Sequence, residues 1–537
     1  MNWNYSEAIY QLGESAIASR PALIHDDEVI SYAMLKQRAT GIASWLLSLD
    51  LPTGSHVGHY MRNSNAYTET FIAAGLAGMS HVNVNFRYLD DELLELCNGL
   101  DIRVLVYDRE FSERVAQIKD RLEQTVAFVE VGEDTPLNDF AVPITKLYSY
   151  DISGFERRTS PDDLLLIATG GTTGLPKGTQ WRQEDMWLKT EVSTGGSMAA
   201  LALEQHPSSM EEHVANVASM PQPSPMFPLC PLMHGTGLLV ALMVLAQGAA
   251  VVTLSGSKFD PTRTLDMVAK HKVGGMVIVG DAFAQPLIDE LERRSGESPI
   301  ATLQAIISSG SILSDESKAG LKRHKADLIV LDTLGSSESV GFGLATEEAG
   351  VFAPMPTTRV LDDQLQEVVP GSDTIGIAYS SGYTPTGYYK EPEKSAETFI
   401  EIDGVRHVKT GDRCRVREDG MLVLLGRDST VINTGGEKVY TVEVERVLLD
   451  HPSISDAIVV GLPHPRFGSM VVAVIEGPEL SADGISVGEV QAFCRENLAD
   501  YKVPKHIFAI DSLQRAANGK ADYPYVTDYA AQQLSRA

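Results

Sequence analysis

For most of the chain, short β-rich runs alternate with amphipathic stretches of helical period. This alternation restricts the fold more than any other property of the chain. The runs are His56–Tyr60, Arg103–Tyr107, Ala127–Val131, Leu164–Ala168, Ala250–Leu254, Gly275–Val279, Ala305–Ser308 and Leu328–Asp332; the helical stretches include Tyr32–Leu47, Thr68–Ala77 and Thr262–His271. A run apolar throughout is buried on both faces, and strands separated by helices pair in parallel. The pattern therefore predicts an α/β fold of mostly parallel sheets, each covered by helices. No period of roughly 20–50 residues recurs, so a solenoid or propeller is excluded. The longest apolar stretch, Leu238–Leu254, is interrupted by Gln247-Gly248 and falls short of the ~20 residues a membrane span needs. It reads as a buried helix, Leu238–Ala246, followed by a buried strand, Ala249–Leu254.

The texture changes after Gly382. Segments shorten and polar turns multiply: Gly382-Tyr383-Thr384-Pro385, Glu418-Asp419-Gly420 and Asn433-Thr434-Gly435-Gly436. Glu418–Met421, between Cys414–Val416 and Leu422–Leu425, reads as a hairpin turn. Beyond Arg427 the pattern is a compact α+β segment: helix Val442–Leu449, strands Ala457–Gly461 and Val471–Ile475, helix Val487–Leu498. The expected organisation is a large domain, 1–427, of stacked sheets with a small β-subdomain, then a small mobile domain, 428–537, with the boundary at 427–429. The 537 residues match a length prior of three or four domains or subdomains.

Charge narrows the function. The formal net charge is -28, which repels nucleic acid and anionic membrane. An anionic substrate then needs a site that is locally positive. Cys97, Cys230, Cys414 and Cys494 lie far apart with no CxxC pair, which argues for reduced thiols in a cytoplasmic protein and against a zinc or redox site. The N-terminus, Met1–Tyr5, has no basic region followed by an apolar run and is not read as a signal peptide.

The sharpest local signal is Thr169-Gly170-Gly171-Thr172-Thr173-Gly174-Leu175-Pro176-Lys177-Gly178, directly after the apolar run Leu164–Ala168. Glycines let backbone N–H groups approach an anion, the threonine hydroxyls add donors, and Lys177 adds charge; the combination is suited to phosphate. It is not a Walker A loop, because Lys177 follows Pro176 and Gly178 stands where that loop requires Ser or Thr. A kinase or ATPase motor is thereby disfavoured.

With Trp181-Arg182-Gln183-Glu184-Asp185 behind it, this segment resembles the signature of the adenylate-forming superfamily, and within it the bacterial fatty-acyl and steroid-side-chain CoA ligases. The resemblance covers nearly the whole chain, and further motifs follow in order. It implies that Thr169–Gly174 and Lys177 hold the ATP phosphates, with Thr173 near the reacting centre. It implies that Glu338 of Leu334-Gly335-Ser336-Ser337-Glu338 holds Mg²⁺, with Ser337 on the α-phosphate and Ser336 among the nucleotide-binding residues. Leu334 stands where many relatives carry an aromatic ring against adenine, so apolar contact survives without stacking. Ser309-Gly310-Ser311 resembles the loop bordering adenine and the acyl chain, and Asp332 matches an acceptor for the adenine amino group. Asp412 of Lys409-Thr410-Gly411-Asp412 is implied at the ribose diol, where a carboxylate accepts two hydroxyl hydrogen bonds. Gly426–Asn433 resembles the hinge motif, with Arg427 reaching ribose or phosphate and Ser429 as the pivot, where relatives often carry Asp or Lys. Lys520 of Asn518-Gly519-Lys520-Ala521 resembles the adenylation lysine. Gly435, Gly436 and Lys438 resemble the segment shaping the coenzyme A channel. His234, opening Pro231–Gly237, corresponds to a position beside the substrate carboxylate, and Gly235, Gly237, Gly335, Gly341 and Gly343 leave room there.

The activity implied is carboxylic acid plus ATP to acyl-AMP and pyrophosphate, then acyl transfer to coenzyme A. The acid would be a medium- or long-chain fatty acid or a steroid side-chain acid, and a homodimer is the default assembly. Only a short tail follows Lys520, which disfavours a modular peptide-synthetase domain, and no insertion of the fatty-acyl-AMP-ligase kind stands between Thr434 and Val444. The alternatives are a fatty-acyl-AMP ligase loading a carrier protein, a luciferase-like oxygenase, and a catalytically dead acyl- or nucleotide-binding homologue.

Overall fold

The computed structural model describes residues 2–536 except 172–173, 195–205, 295–297, 311–312, 347, 349, 428–429, 435–436, 465–467, 478–485 and 516–520. Two compact units emerge: Met1–Phe342 with Ser381–Val408, and Gly343–Ser380 with Lys409–Ala537.

The first unit contains two sheets. One runs in the order Gly387–Tyr388, Gly174–Arg182, Leu164–Gly171, Ser80–Asn83, His56–Tyr60, Ile102–Asp108, Ala127–Val131, Ala141–Pro143. It is parallel from Leu164–Gly171 onward and antiparallel at its other end. The other orders Ile329–Leu334, Ala305–Ser309, Gly275–Ile278, Met226–Pro228, Val251–Thr253 and Pro21–His25 in parallel, closed by the antiparallel Glu28–Ser31. Alternation along the strands explains the layering. In Ile102–Asp108, Val104 and Val106 point into a core shared by both sheets and the helices Tyr5–Leu12, Tyr32–Ser48, Asn65–Leu76 and Gly235–Ala246, whereas Leu105 and Tyr107 point into a separate core lined by Leu93, Leu96, Val115 and Ile118. A third core lies beneath helices Pro261–His271, Asp281–Arg293 and Asp315–His324. Most strands of the two sheets are thus buried on both faces, as largely apolar runs predict; strand Ile329–Leu334 departs from this, with Ile329 and Leu331 exposed.

Helix boundaries follow local capping. Asn65–Leu76 starts three residues before the apolar period predicts, because the Ser64 hydroxyl accepts from Tyr67 N–H and stabilises an earlier first turn. Every residue of that helix is buried, as its place in the shared core demands. The apolar stretch 238–254 forms helix Gly235–Ala246 and strand Val251–Thr253. No helix among the described residues is long and apolar enough to cross a membrane. All four cysteines are buried and unbridged.

The second unit carries an antiparallel sheet in the order Thr358–Leu361, Ile375–Ser380, the 409–416 part of Val405–Val416, Leu422–Arg427, Val351–Pro354, Gly343–Ala345. The expected hairpin is present: Arg417 N–H donates to Met421 O at 2.9 Å across a turn in which Gly420 adopts φ +80°. A second sheet orders Glu437–Val439, Ile432–Thr434, Gly468–Glu476 and Asp456–His464, with His506–Ala509 parallel to Gly468–Glu476. Helices Thr441–Leu449 and Val487–Asn497 cover one face and Tyr523–Arg536 the other. The compact units do not part at 427–429. Helix Thr441–Leu449 lies against the β-subdomain, where Arg446 donates to Leu424 O at 3.3 Å.

Candidate active site

The Gly/Thr-rich segment lies between and within two antiparallel strands. Strand Leu164–Gly171 turns into Gly174–Arg182 with Gly171 opposite Gly174 and Thr169 opposite Lys177. The side chains of Thr169, Gly170, Gly171 and Gly174 are not described, and Thr172 and Thr173 lie outside the described residues. Further along, Lys177, Thr179 and Trp181 share one face of their strand by its two-residue period. Strand Gly387–Tyr388 pairs beside them with Tyr388 opposite Thr179.

That face meets the loop after strand Ile329–Leu334. The indole N–H of the fully buried Trp181 donates to Ser337 O at 2.8 Å, and the Tyr388 hydroxyl donates to Glu338 Oε1 at 2.9 Å. The Lys177 ammonium stands 5.1 Å from the Tyr388 ring centroid. Lys177 and Glu338, far apart in sequence, therefore share one aromatic neighbour. The loop also carries internal bonds: Ser336 Oγ with Ser339 Oγ at 3.1 Å, Glu338 N–H to Ser336 Oγ at 3.3 Å, Val340 N–H to Ser336 O at 2.9 Å and Phe342 N–H to Leu334 O at 2.9 Å. Val340, a β-branched residue, adopts φ +58°, and Gly341 follows at φ +150°. A β-branched side chain in the left-handed region costs on the order of 1–3 kcal/mol and persists only where the surroundings over-determine it. Here the two flanking hydrogen bonds do so. Gly335 backs onto Gly341, whose N lies 3.4 Å from where a Gly335 Cβ would stand.

On the neighbouring strand ends, the Ser309 hydroxyl donates to Thr333 O and the Thr333 hydroxyl to Ser308 O, both at 3.2 Å. Gly310 follows at φ +94°, and Ser311 lies outside the described residues. Asp332 and Leu334 are half-buried in the adjacent strand Ile329–Leu334. Burial pushes the Asp332 carboxyl up to about 7 against the opposing pull of Lys318.

His234 is the N-cap residue of helix Gly235–Ala246 and is half-buried. Two asparagines hold its segment. Asn63 accepts from Leu232 N–H at 2.7 Å and donates to Cys230 O at 3.2 Å. Asn83, at the end of strand Ser80–Asn83, donates to Met233 O at 2.6 Å and to Ala168 O at 2.9 Å, and accepts from Ala168 N–H at 2.6 Å. Asn83 thus ties the base of the hairpin to the His234 segment.

In the second unit Asp412 and Arg427 face each other across paired strands, with Arg427 Nε 3.3 Å from Asp412 Oδ1. Asp412 N–H donates to Thr410 Oγ1 at 3.1 Å, and the Asp412 residue is 7% exposed, so its carboxylate is held in one direction. Lys438 lies in strand Glu437–Val439, its side chain not described; Ser429, Gly435, Gly436 and Lys520 lie outside the described residues.

The structure thus gathers Lys177 and Glu338 around Tyr388, and Asp412 with Arg427. No sequence motif gives a role to Trp181, Tyr388, Asn63 or Asn83. Trp181 and the Gly387-Tyr388 pair are visible as aromatic residues at strand positions, but their partners lie 156 and 50 residues away.

The same architecture recurs among solved structures. A benzoate CoA ligase from Burkholderia xenovorans superposes with TM-score 0.81 at 20% identity, covering 98% of this chain and 99% of that one. An anthranilate CoA ligase in complex with anthranoyl-AMP superposes with TM-score 0.82 at 21% identity, covering 99% and 98%. Closer in sequence, a medium/long-chain-fatty-acid–CoA/3-oxocholest-4-en-26-oate–CoA ligase of Mycolicibacterium smegmatis is 35% identical, over 96% of this chain and 94% of its own length. A 3-oxocholest-4-en-26-oate–CoA ligase of Rhodococcus rhodochrous is 34% identical, over 95% and 93%. The model of AMP-binding enzymes matches residues 15–389, across the hairpin, Glu338 and Tyr388, and that of the AMP-binding enzyme C-terminal domain matches 443–520. With both models matched in order and the hairpin and carboxylate loop joined in one framework, the chain belongs to the AMP-binding enzyme family.

Proposed function

We propose that this protein is an AMP-forming acid–thiol ligase. It converts a carboxylic acid and ATP to an acyl-adenylate and pyrophosphate, then transfers the acyl group to coenzyme A. The acid is a medium- or long-chain fatty acid or a steroid side-chain acid. The observation that carries this reading is the 35% identity to a fatty-acid and steroid-acid CoA ligase over 96% of the chain.

A carboxylate and ATP repel each other, so the enzyme must neutralise charge, align the attacking oxygen with the α-phosphorus and stabilise departing pyrophosphate. Lys177 and the donors of 169–174 serve the phosphates, and Ser336 and Ser337 border them. Glu338 fits a Mg²⁺–nucleotide: such an ion takes one or two carboxylates, with phosphate oxygens and water filling the other positions. Glu338, bonded to the Tyr388 hydroxyl, is the carboxylate that would supply one such ligand. Bound there, Mg²⁺ would offset phosphate charge. Asp332, Leu334 and Ser309–Ser311 border adenine. Asp412 accepts from the ribose hydroxyls, and Arg427 reaches the ribose or phosphate. Lys520 bridges carboxylate and α-phosphate during adenylation. His234, Gly235, Gly335 and Gly341 line the substrate carboxylate, and Gly435, Gly436 and Lys438 the thiol channel. The segment 428–537 pivots at Ser429 between the half-reactions. Ser429→Pro then spares one half-reaction and stops the other; equal loss of both would sink the pivot.

The deciding experiment measures pyrophosphate release over C4 to C18 fatty acids, aryl acids and steroid acids, with and without coenzyme A. Accumulation of one class of CoA thioester supports the reading. An adenylate that coenzyme A cannot discharge would point to an acyl-AMP ligase, and no release with any acid to a dead homologue.

A further inference from the structure

We propose that Tyr388 is the positioning residue of the Glu338 carboxylate and couples it to Lys177 on the phosphate hairpin. The inference deepens the reading of Glu338 as the metal carboxylate and rests on it.

Three contacts converge on this side chain, which is 7% exposed. Its hydroxyl donates to Glu338 Oε1 at 2.9 Å, and Lys177 Nζ lies 5.1 Å from its ring centroid. Its backbone N–H donates to Ser395 Oγ at 2.8 Å, and the Ser395 hydroxyl in turn donates to Glu391 O at 2.6 Å, at the head of helix Pro392–Thr398. The loop of Glu338 is separately anchored through Ser337 O by Trp181. That anchor fixes the backbone but leaves the glutamate side-chain torsions free. A charge-assisted hydrogen bond to one carboxylate oxygen removes that freedom and fixes the direction of the other oxygen. Because the ring also faces the Lys177 ammonium, a group that offsets phosphate charge and a group that receives a cation are referenced to one rigid plane. Tyr388 touches no reacting atom; it acts through Glu338.

The test is Mn²⁺ binding to the full chain with α,β-methylene-ATP, read as loss of the free Mn²⁺ signal by electron paramagnetic resonance. Tyr388→Phe keeps the ring facing Lys177 and deletes only the hydroxyl. Mn²⁺ affinity is expected to fall about tenfold, the scale of one hydrogen bond to a charged group, while metal-free binding of the analogue is unchanged. In a Glu338→Gln background Tyr388→Phe should add nothing, because the two residues then act as one unit. Ser395→Ala, which loosens the anchor of Tyr388, should shift Mn²⁺ affinity in the same direction by less, and it decides the matter if Tyr388→Phe does not fold. Wild-type Mn²⁺ affinity in Tyr388→Phe, or in Ser395→Ala where that variant decides, overturns the proposal, and if Glu338→Gln has meanwhile lost the ion the reading of Glu338 stands. Wild-type Mn²⁺ affinity in Glu338→Gln overturns both.

Discussion

Asp332 and Glu338 are carboxylates a few residues apart in different surroundings. Glu338 is half-buried with a tyrosine hydroxyl bonded to it, whereas burial pushes the Asp332 carboxyl up to about 7. The sign of the consequence follows from linkage. A carboxyl whose folded pKa exceeds its unfolded value binds more protons in the folded state between the two, so its contribution to stability falls as pH rises from about 4 towards 7. Asp332→Asn, which mimics the neutral form, should therefore raise the melting temperature more at pH 8 than at pH 5; an equal shift at both would show that the carboxyl is already charged. If Asp332 accepts from adenine, the same variant raises KM for ATP while leaving kcat nearly unchanged. Glu338→Gln should lower ATP–pyrophosphate exchange at least about 100-fold, the scale of losing a key electrostatic contact in the transition state.

At the scale of elements, the hairpin 164–182 organises the first unit's cluster around Tyr388. Its strand Gly174–Arg182 carries Lys177 and Trp181, and its other strand ends at Ala168 in a two-way bond with Asn83. Asn83 also holds Met233 O beside His234. Asn83→Leu would leave three backbone groups without this partner in a buried setting, at a cost of about 2–4 kcal/mol. The expected outcome is a lower urea midpoint together with a raised KM for the acid, since His234 loses its support. A lower midpoint with unchanged KM would remove His234 from the acid site. Local patterns located these elements within a few residues. Where they missed, as at Asn65–Leu76, a side-chain cap outweighed the apolar period.

At the scale of the molecule, the shared core of the first unit encloses an unusual polar pair. His59 and His81, on adjacent parallel strands, are fully buried with their Nδ1 atoms 2.9 Å apart, beside Tyr67 and Phe71. Burial pushes His59 down to about 4 and His81 well below its usual value, the second also repelled by the first. Histidines kept neutral in the fold take up protons on unfolding. Stability is therefore fully present above pH 6.5 and declines as pH falls towards 4, at up to about 1.4 kcal/mol per pH unit for each histidine. Thermal unfolding between pH 7.5 and 5 should show this decline, and His59→Gln should flatten it by about one proton; an unchanged slope would mean that His59 is already protonated in the fold.

Sequence alone determined the parts that depend on neighbours in the chain. Largely apolar β-rich runs pointed to strands buried on both faces, the periods between them pointed to helices, and the Gly/Thr/Lys segment with the Leu334–Glu338 and Lys409–Asp412 motifs marked the nucleotide chemistry. Tertiary structure decided which of these residues meet. Trp181 reaches Ser337, Tyr388 reaches Glu338, and Asn83 joins Ala168 to Met233 because the sheet order lays distant strands side by side. The grouping of 343–380 with the C-terminal segment in one compact unit was equally hidden. Strand order is set by how whole faces bury against one another, a property of the assembled core that no local period encodes.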